Sequence, residues 1–196
     1  MRRMLVIVIV AGVLAAAAVG IAGCARSAAA GVPPAGEAPA GGGPAAALEA
    51  AIYAPVLRRY LSTPAENSFP GHAFKTVYVL DQAFPDAGDP AGKHERATPI
   101  APNAQRQITD ALAGIAHVAF IADRYTVIET TDGCAQVKDG GILITLGTPD
   151  GDDHEVQVAI NGFVACLGAT WLTYVVQHQP GTGWRVTGTT GAMGIS

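Results

Sequence analysis

The chain has 196 residues, with 12 basic against 16 acidic side chains, a formal charge of -4, 6% aromatics and 14% charged residues, where an average soluble protein has roughly 25% charged. About the first 45 residues differ in composition from the rest, which leaves roughly 150 for a fold, enough for one core and not two. The acidic balance and the lack of any Lys/Arg cluster argue against nucleic acid or an anionic lipid surface as the main partner, because both are bound through grouped cations.

At the N-terminus, Arg2 and Arg3 precede an uncharged run over residues 5–22 built from Leu, Val, Ile, Ala and Gly. That is the layout of a secretory signal peptide. The run is also about as long as the shortest membrane-spanning helix, so an uncleaved anchor is the competing reading. Ile21-Ala22-Gly23-Cys24 places an aliphatic residue and two small ones before a cysteine, and this resembles the lipobox of bacterial lipoproteins. The resemblance covers these four positions and the signal before them, with Ile21 where leucine is most common. It implies that Cys24 receives a diacylglyceryl group, that residues 1–23 are removed, and that Cys24 becomes the first residue of the mature chain. With Arg2 and Arg3 gone, ten basic residues face 16 acidic ones, a formal charge of -6. The resemblance further implies export and membrane attachment through the lipid, on the outer face of the cytoplasmic membrane or on an outer membrane. Two acyl chains suffice for stable attachment where one is marginal.

Residues 24–44 are mostly Ala, Gly and Pro with a single Arg and a single Glu. Such a stretch has too little large apolar surface to offset its ordering entropy and reads as a tether with a reach on the order of 25 Å. The single globular domain is then residues 45–196. With Cys24 assigned to a lipid, Cys134 and Cys166 are left as a pair in an oxidising compartment, which predicts a disulfide. Two separate buried thiols are the alternative. A metal is not expected at either, because no His or second Cys stands at ligand spacing.

Along the domain, Leu48, Ile52, Val56 and Tyr60 recur every four residues and predict a helix over 45–61, which Pro55 should kink or divide. The β-branched and aromatic run over 74–80 predicts a strand, and 85–102 reads as a polar Gly/Pro-rich loop. Asn103 is positioned to cap a second helix running to about residue 113, with Ile108, Leu112 and Ile115 on one side and Gly114 as its stop. Strands are predicted over 117–122, 125–129, 142–146, 155–160, 170–178 and 184–189. Turn chemistry over 148–153, at Asn161-Gly162 and over 180–183 separates the last four. The predicted fold is α+β, two helices packed on a curled antiparallel β-meander. Its final strand pair, Tyr174-Val175-Val176-Gln177 and Trp184-Arg185-Val186-Thr187-Gly188, resembles the end of NTF2-like or cystatin-like domains. That resemblance implies a concave sheet face forming a pocket. Those families include enzymes and non-enzymes, so it assigns no functional residue.

Candidate chemistry is sparse. The segment from Gly88 to His94 superficially resembles a phosphate-binding loop, but its glycines are one residue too close and His94 stands where Ser or Thr must hold magnesium, so it reads as a solvated loop. The carboxylates and imidazole over 150–155 lack a calcium-loop alternation and read as a charged turn. On a concave sheet face, Asp81 with His117 or His178 would be the catalytic candidates. Tyr78, Trp171 and Tyr174 would be the ligand-binding ones. Trp171 and Tyr174 are three apart and must point to opposite faces of one strand, so they cannot share a pocket. No Gly-x-Ser-x-Gly, His-Glu-x-x-His or Cys-x-x-Cys occurs. The sequence therefore leads to a lipid-anchored, extracytoplasmic binding or interaction module for a small ligand or an envelope protein, with no cofactor, metal or nucleic-acid partner. The alternative is a hydrolase- or isomerase-like enzyme with an Asp/His pocket on the sheet, which requires Asp81 within about 8 Å of a histidine or a pocket.

Overall fold

The computed structural model describes residues 43–71, 73–94 and 96–196. The signal segment, the lipobox at Cys24 and the tether up to residue 42 lie outside the described residues. Three helices occur among them, α1 (Pro44–Ser62), the short α2 (Pro64–Asn67) and α3 (Pro102–Leu112). The strands are β1 (Val77–Ala83), β2 (Thr98–Pro99), β3 (Val118–Ile121), β4 (Ile128–Thr131), β5 (Cys134–Val137), β6 (Ile142–Leu146), β7 (Asp150–Gly151), β8 (Glu155–Ala165), β9 (Gly168–Gln179) and β10 (Gly183–Ile195). They form one sheet whose main path is β10-β9-β8-β6-β1-β2, curled into a half-barrel with helices against it, so the fold is α+β as predicted.

The sheet is mixed. The antiparallel meander holds for β8, β9 and β10, whereas β1 runs parallel to both β3 and β6. The helix between β1 and β3 makes this possible, because a parallel pair needs a crossover and α3 supplies one. Composition explains the central position of β1 and β6. Both are near-continuous apolar runs, buried on two faces, as strands inside a parallel region are. Val77, Val79, Ile142 and Ile144 pack toward the helices, while Tyr78, Leu80 and Leu143 pack on the opposite face with Val127 and Val137. In β8 and β9 the alternation is that of one core face, with Val156, Val158, Ile160, Leu172, Tyr174 and Val176 inward.

Helix α1 continues unbroken through Pro55. The carbonyl that loses its donor there belongs to Ala51, an exposed residue, so water can satisfy it. Of the expected stripe Ile52, Val56 and Tyr60 are buried and Leu48 is 48% exposed, and Ala46, Ala50, Tyr53 and Leu57 widen the core face. Helix α3 starts at Pro102 with Ala101 as its cap, and Asn103 sits inside the first turn, where its side chain bonds Arg106 instead. A proline with its φ already helical is a sufficient start signal. Ile115 lies past the helix end and is exposed.

Asn161-Gly162 is not a turn but part of β8, which runs on to Ala165. The Asn161 amide donates to the Thr170 carbonyl across the strands, and Gly162 leaves the space that the Tyr60 ring and hydroxyl occupy. Residues 124–126 form a 3-10 turn capped by Asp123, which delays the strand expected there to β4. Strand β5 had no counterpart in the sequence reading. The disulfide joins Cys134 at its start to Cys166 in the β8–β9 turn, with the Cα atoms 5.3 Å apart.

Candidate functional site

Around the start of α1 lies a cleft of ≈ 740 Å³. Four pieces of chain build it. The N-terminal half of α1 contributes Ala45, Ala46, Leu48, Glu49 and Ile52, and the end of β2 and its link to α3 contribute Pro99 and Ala101. The connection from β6 to β8 adds Pro149, Asp152 and Asp153, and the strands add Val156, His178 and Trp184. Small residues at 45 and 46 keep it open, and the two prolines present no backbone N–H to it. The inward parity of β9, which buries Thr170, Leu172, Tyr174 and Val176, carries His178 to the same side at the strand end. Trp184 is its register partner on β10, with the two rings 5.3 Å apart.

Three carboxylates border this apolar space. Glu49 Oε2 accepts the Ala101 N–H at 3.0 Å, tying α1 to the cap of α3. Asp152 Oδ1 accepts the N–H groups of Glu155 at 2.9 Å and of His154 at 2.8 Å, and these bonds hold its carboxyl below the ordinary range. Asp153 lies beside it, exposed. The acidic segment over 150–155 is thus the short strand β7 and an aspartate-stabilised turn into β8. Among the described residues no three His, Cys, Asp or Glu side chains converge to hold a metal, and no helix is long and apolar enough to cross a membrane.

Of the six candidate site residues Asp81, His117, His178, Tyr78, Trp171 and Tyr174, His178 alone lines the cleft. Tyr174 is fully buried on the helix side of β9, where its hydroxyl donates to Glu66 Oε2 at 2.8 Å. Burial, reinforced by that carboxylate, drives the Tyr174 hydroxyl far up. Trp171 is on the other face, packed along Gly194, as its three-residue offset requires. Tyr78 belongs to the second face of β1, with Lys138 Nζ 5.8 Å from its ring centre. Asp81 sits near the end of β1, and its Oδ1 is buried without a hydrogen-bond partner. It is not part of the cleft wall. His117 is exposed just before β3, whose Val118 pairs with Val77, so Asp81 lies about five residues further along the sheet. At roughly 3.3 Å per residue that separation is on the order of 16 Å. Strands β6 and β8 intervene between Asp81 and His178. The six residues are spread over two faces and both ends of the sheet, and no Asp/His pair forms.

Sequence reasoning missed Trp184, Glu49, Asp152 and Asp153 as cleft residues. The signal that would have found Trp184 is its place directly across the 180–183 turn from His178.

The Gly88–His94 segment is a closed loop. The Asp86 carboxylate accepts the His94 N–H at 2.8 Å and pairs with its Nδ1 at 2.9 Å, which lowers the Asp86 carboxyl. A Cβ at Gly92 would come within 2.7 Å of the Asp86 carbonyl oxygen, so glycine is needed for the chain to close on itself. A carboxylate at the centre of the loop is the wrong charge for phosphate.

Compared with known proteins, the chain matches no family model, no curated protein and no solved structure. The functional reading rests on the cleft.

Proposed function

We propose that this protein is an exported lipoprotein, attached to a membrane through Cys24, whose domain binds a small, largely apolar ligand in the cleft at the start of α1. The observation that carries this reading is the cleft itself: drug-sized, walled by apolar side chains, with a few polar groups at its border, which is the usual make-up of a binding site. Its one imidazole, on His178, packs at a tilt against Trp184 and has no carboxylate bonded to it among the described residues, so no nucleophile and base are assembled there. The signal segment and the lipobox support export and anchoring.

Two measurements test the two halves of the proposal. Cys24→Ser should abolish incorporation of labelled palmitate into the chain, and persistent label would sink the anchor. In a thermal-shift screen, a ligand that binds the native state raises stability by mass action, about 2.7 kcal/mol at a hundredfold excess over its Kd. Ala45→Phe, at an exposed position on the cleft wall, should remove that protection. Protection that survives Ala45→Phe undiminished would place binding elsewhere.

A further inference from the structure

We infer that the ligand taken by this cleft carries a positive charge beside its apolar body, a hydrophobic organic ammonium; this rests on the reading of the cleft as the binding site. The lining divides cleanly by chemistry. Leu48, Ile52, Pro99 and Val156 make an apolar floor, and neither Lys nor Arg occurs among the lining residues. Carboxylates flank it from two directions, Glu49 from α1 and Asp152 with Asp153 from the turn into β8. An anionic ligand would bring like charges together with no cation to compensate, whereas an ammonium would be drawn to either wall.

Trp184 gives a second and independent reason. Its indole lies on the cleft wall, with the His178 ring tilted against it at 47° and 5.3 Å between ring centres, and indole is the side chain that best attracts a cation to its face, within about 6 Å of the ring centre. A neutral apolar ligand gains contact with the indole but nothing from the carboxylates. A cation with a hydrocarbon body uses both parts, its body on the floor and its head between the carboxylates and the indole.

The test uses the full chain reconstituted in phosphatidylcholine vesicles, with Trp171→Phe leaving Trp184 as the single tryptophan of the two. The probe is 4-phenylbutylammonium, and 4-phenylbutyrate and 4-phenylbutan-1-ol are its anionic and neutral counterparts of the same skeleton. Expected is a saturable change in Trp184 emission with the ammonium, at an affinity at least tenfold above both counterparts and weakening with added salt. Glu49→Gln with Asp153→Asn, which keeps shape and acceptors but removes two charges, should reduce that preference to less than about threefold. Thermal stabilisation of the unsubstituted chain by the same three compounds keeps the result independent of Trp171→Phe.

Equal binding of all three, with each lost in Ala45→Phe, overturns the charge inference and leaves the cleft as the binding site. Binding that Ala45→Phe does not affect overturns both. Tighter binding of the butyrate, or silence from all three, overturns the ammonium inference.

Discussion

Glu66 joins three parts of the domain through one carboxylate. It accepts Arg59 Nε at 3.0 Å and Nη2 at 2.5 Å from α1, and the Tyr174 hydroxyl at 2.8 Å from β9. Burial by itself raises the Glu66 carboxyl, but the bonds from Arg59 and Tyr174 outweigh it and leave it below the ordinary carboxylate range. A carboxyl depressed in the folded state adds stability above its unfolded pKa, about 4.3, and that stability is lost as pH falls through the folded value. Arg59 is half exposed, so solvent screens its share, and the bond from the buried Tyr174 adds to it. Glu66→Gln should therefore cost on the order of 1–3 kcal/mol at pH 7 in urea unfolding. The difference from the parent should shrink as pH drops below about 4, and a difference that is flat with pH would refute this account. The inward parity of Tyr174 was readable from the strand pattern. Its role was not, because its partner lies 108 residues away and nothing local to either residue announces the pair.

Gly162 shows the same limit with the opposite error. Asn-Gly is the strongest short turn signal, and here it lies in mid-strand because the Tyr60 hydroxyl, bonded to Thr170 Oγ1 at 2.5 Å, needs the space above residue 162. Gly162→Ala should destabilise by roughly 1–3 kcal/mol, as overpacking does. The cost should be smaller in a Tyr60→Phe background, where part of the obstruction is gone. Additive costs in the double-substitution cycle would show that the two residues do not meet.

At the scale of elements, the sequence fared best where a run of residues carries its own pattern. The bounds of β6 were read without error, α1 and α3 to within a residue or two, and the starts of β8 and β10 likewise, whereas β8 was ended five residues early by the Asn161-Gly162 signal and β10 six residues early. Parallel pairing was missed because β1 and β6, buried on both faces, have no alternation to show which partner they take. The cleft was missed for a related reason: each of its walls reads in sequence as a helix start, a loop or a strand end, and only the curl of the sheet brings them together. The disulfide was legible once the lipobox resemblance set Cys24 aside and left two cysteines. It fastens β5, which makes a single ladder contact with β8 through Gln136 and Ala165, to the tip of the β8–β9 turn. Closing a loop over a separation of 32 residues is worth about 3–4 kcal/mol in the chain-entropy model. Replacing Cys134 and Cys166 together by Ala should lower stability by that order, read as a fall in the urea midpoint. The loss should match that caused by reductant in the parent, and no further loss should follow when reductant is added to the variant.

Across the whole molecule, three of the five tyrosines hold helix to sheet from inside the core. Tyr53 donates to the Gly147 carbonyl at 3.1 Å, Tyr60 pairs with Thr170, and Tyr174 donates to Glu66. Burial raises all three hydroxyls. In Tyr53 the neighbouring Glu49 adds to it, and in Tyr60 the rise reaches about 12 although the bond to Thr170 partly offsets it. A phenol whose folded pKa lies above its unfolded value contributes stability that is whole below the unfolded pKa, near 10, and is lost as pH climbs from there through the folded value. Tyr60 alone then forfeits about 2 kcal/mol by pH 12, a large fraction of a typical domain's 5–15. The three act on one core, so the domain should unfold cooperatively between about pH 10 and 12. Phenolate absorbance from the buried tyrosines should appear in step with the loss of far-ultraviolet circular dichroism, since each ring must leave the core to ionise. At matched neutral-pH stability, Tyr60→Phe should unfold at higher pH than its parent, having one fewer proton to lose. Reversible ionisation of all five tyrosines with the circular dichroism intact would mean that these rings do not form the junction between helix and sheet.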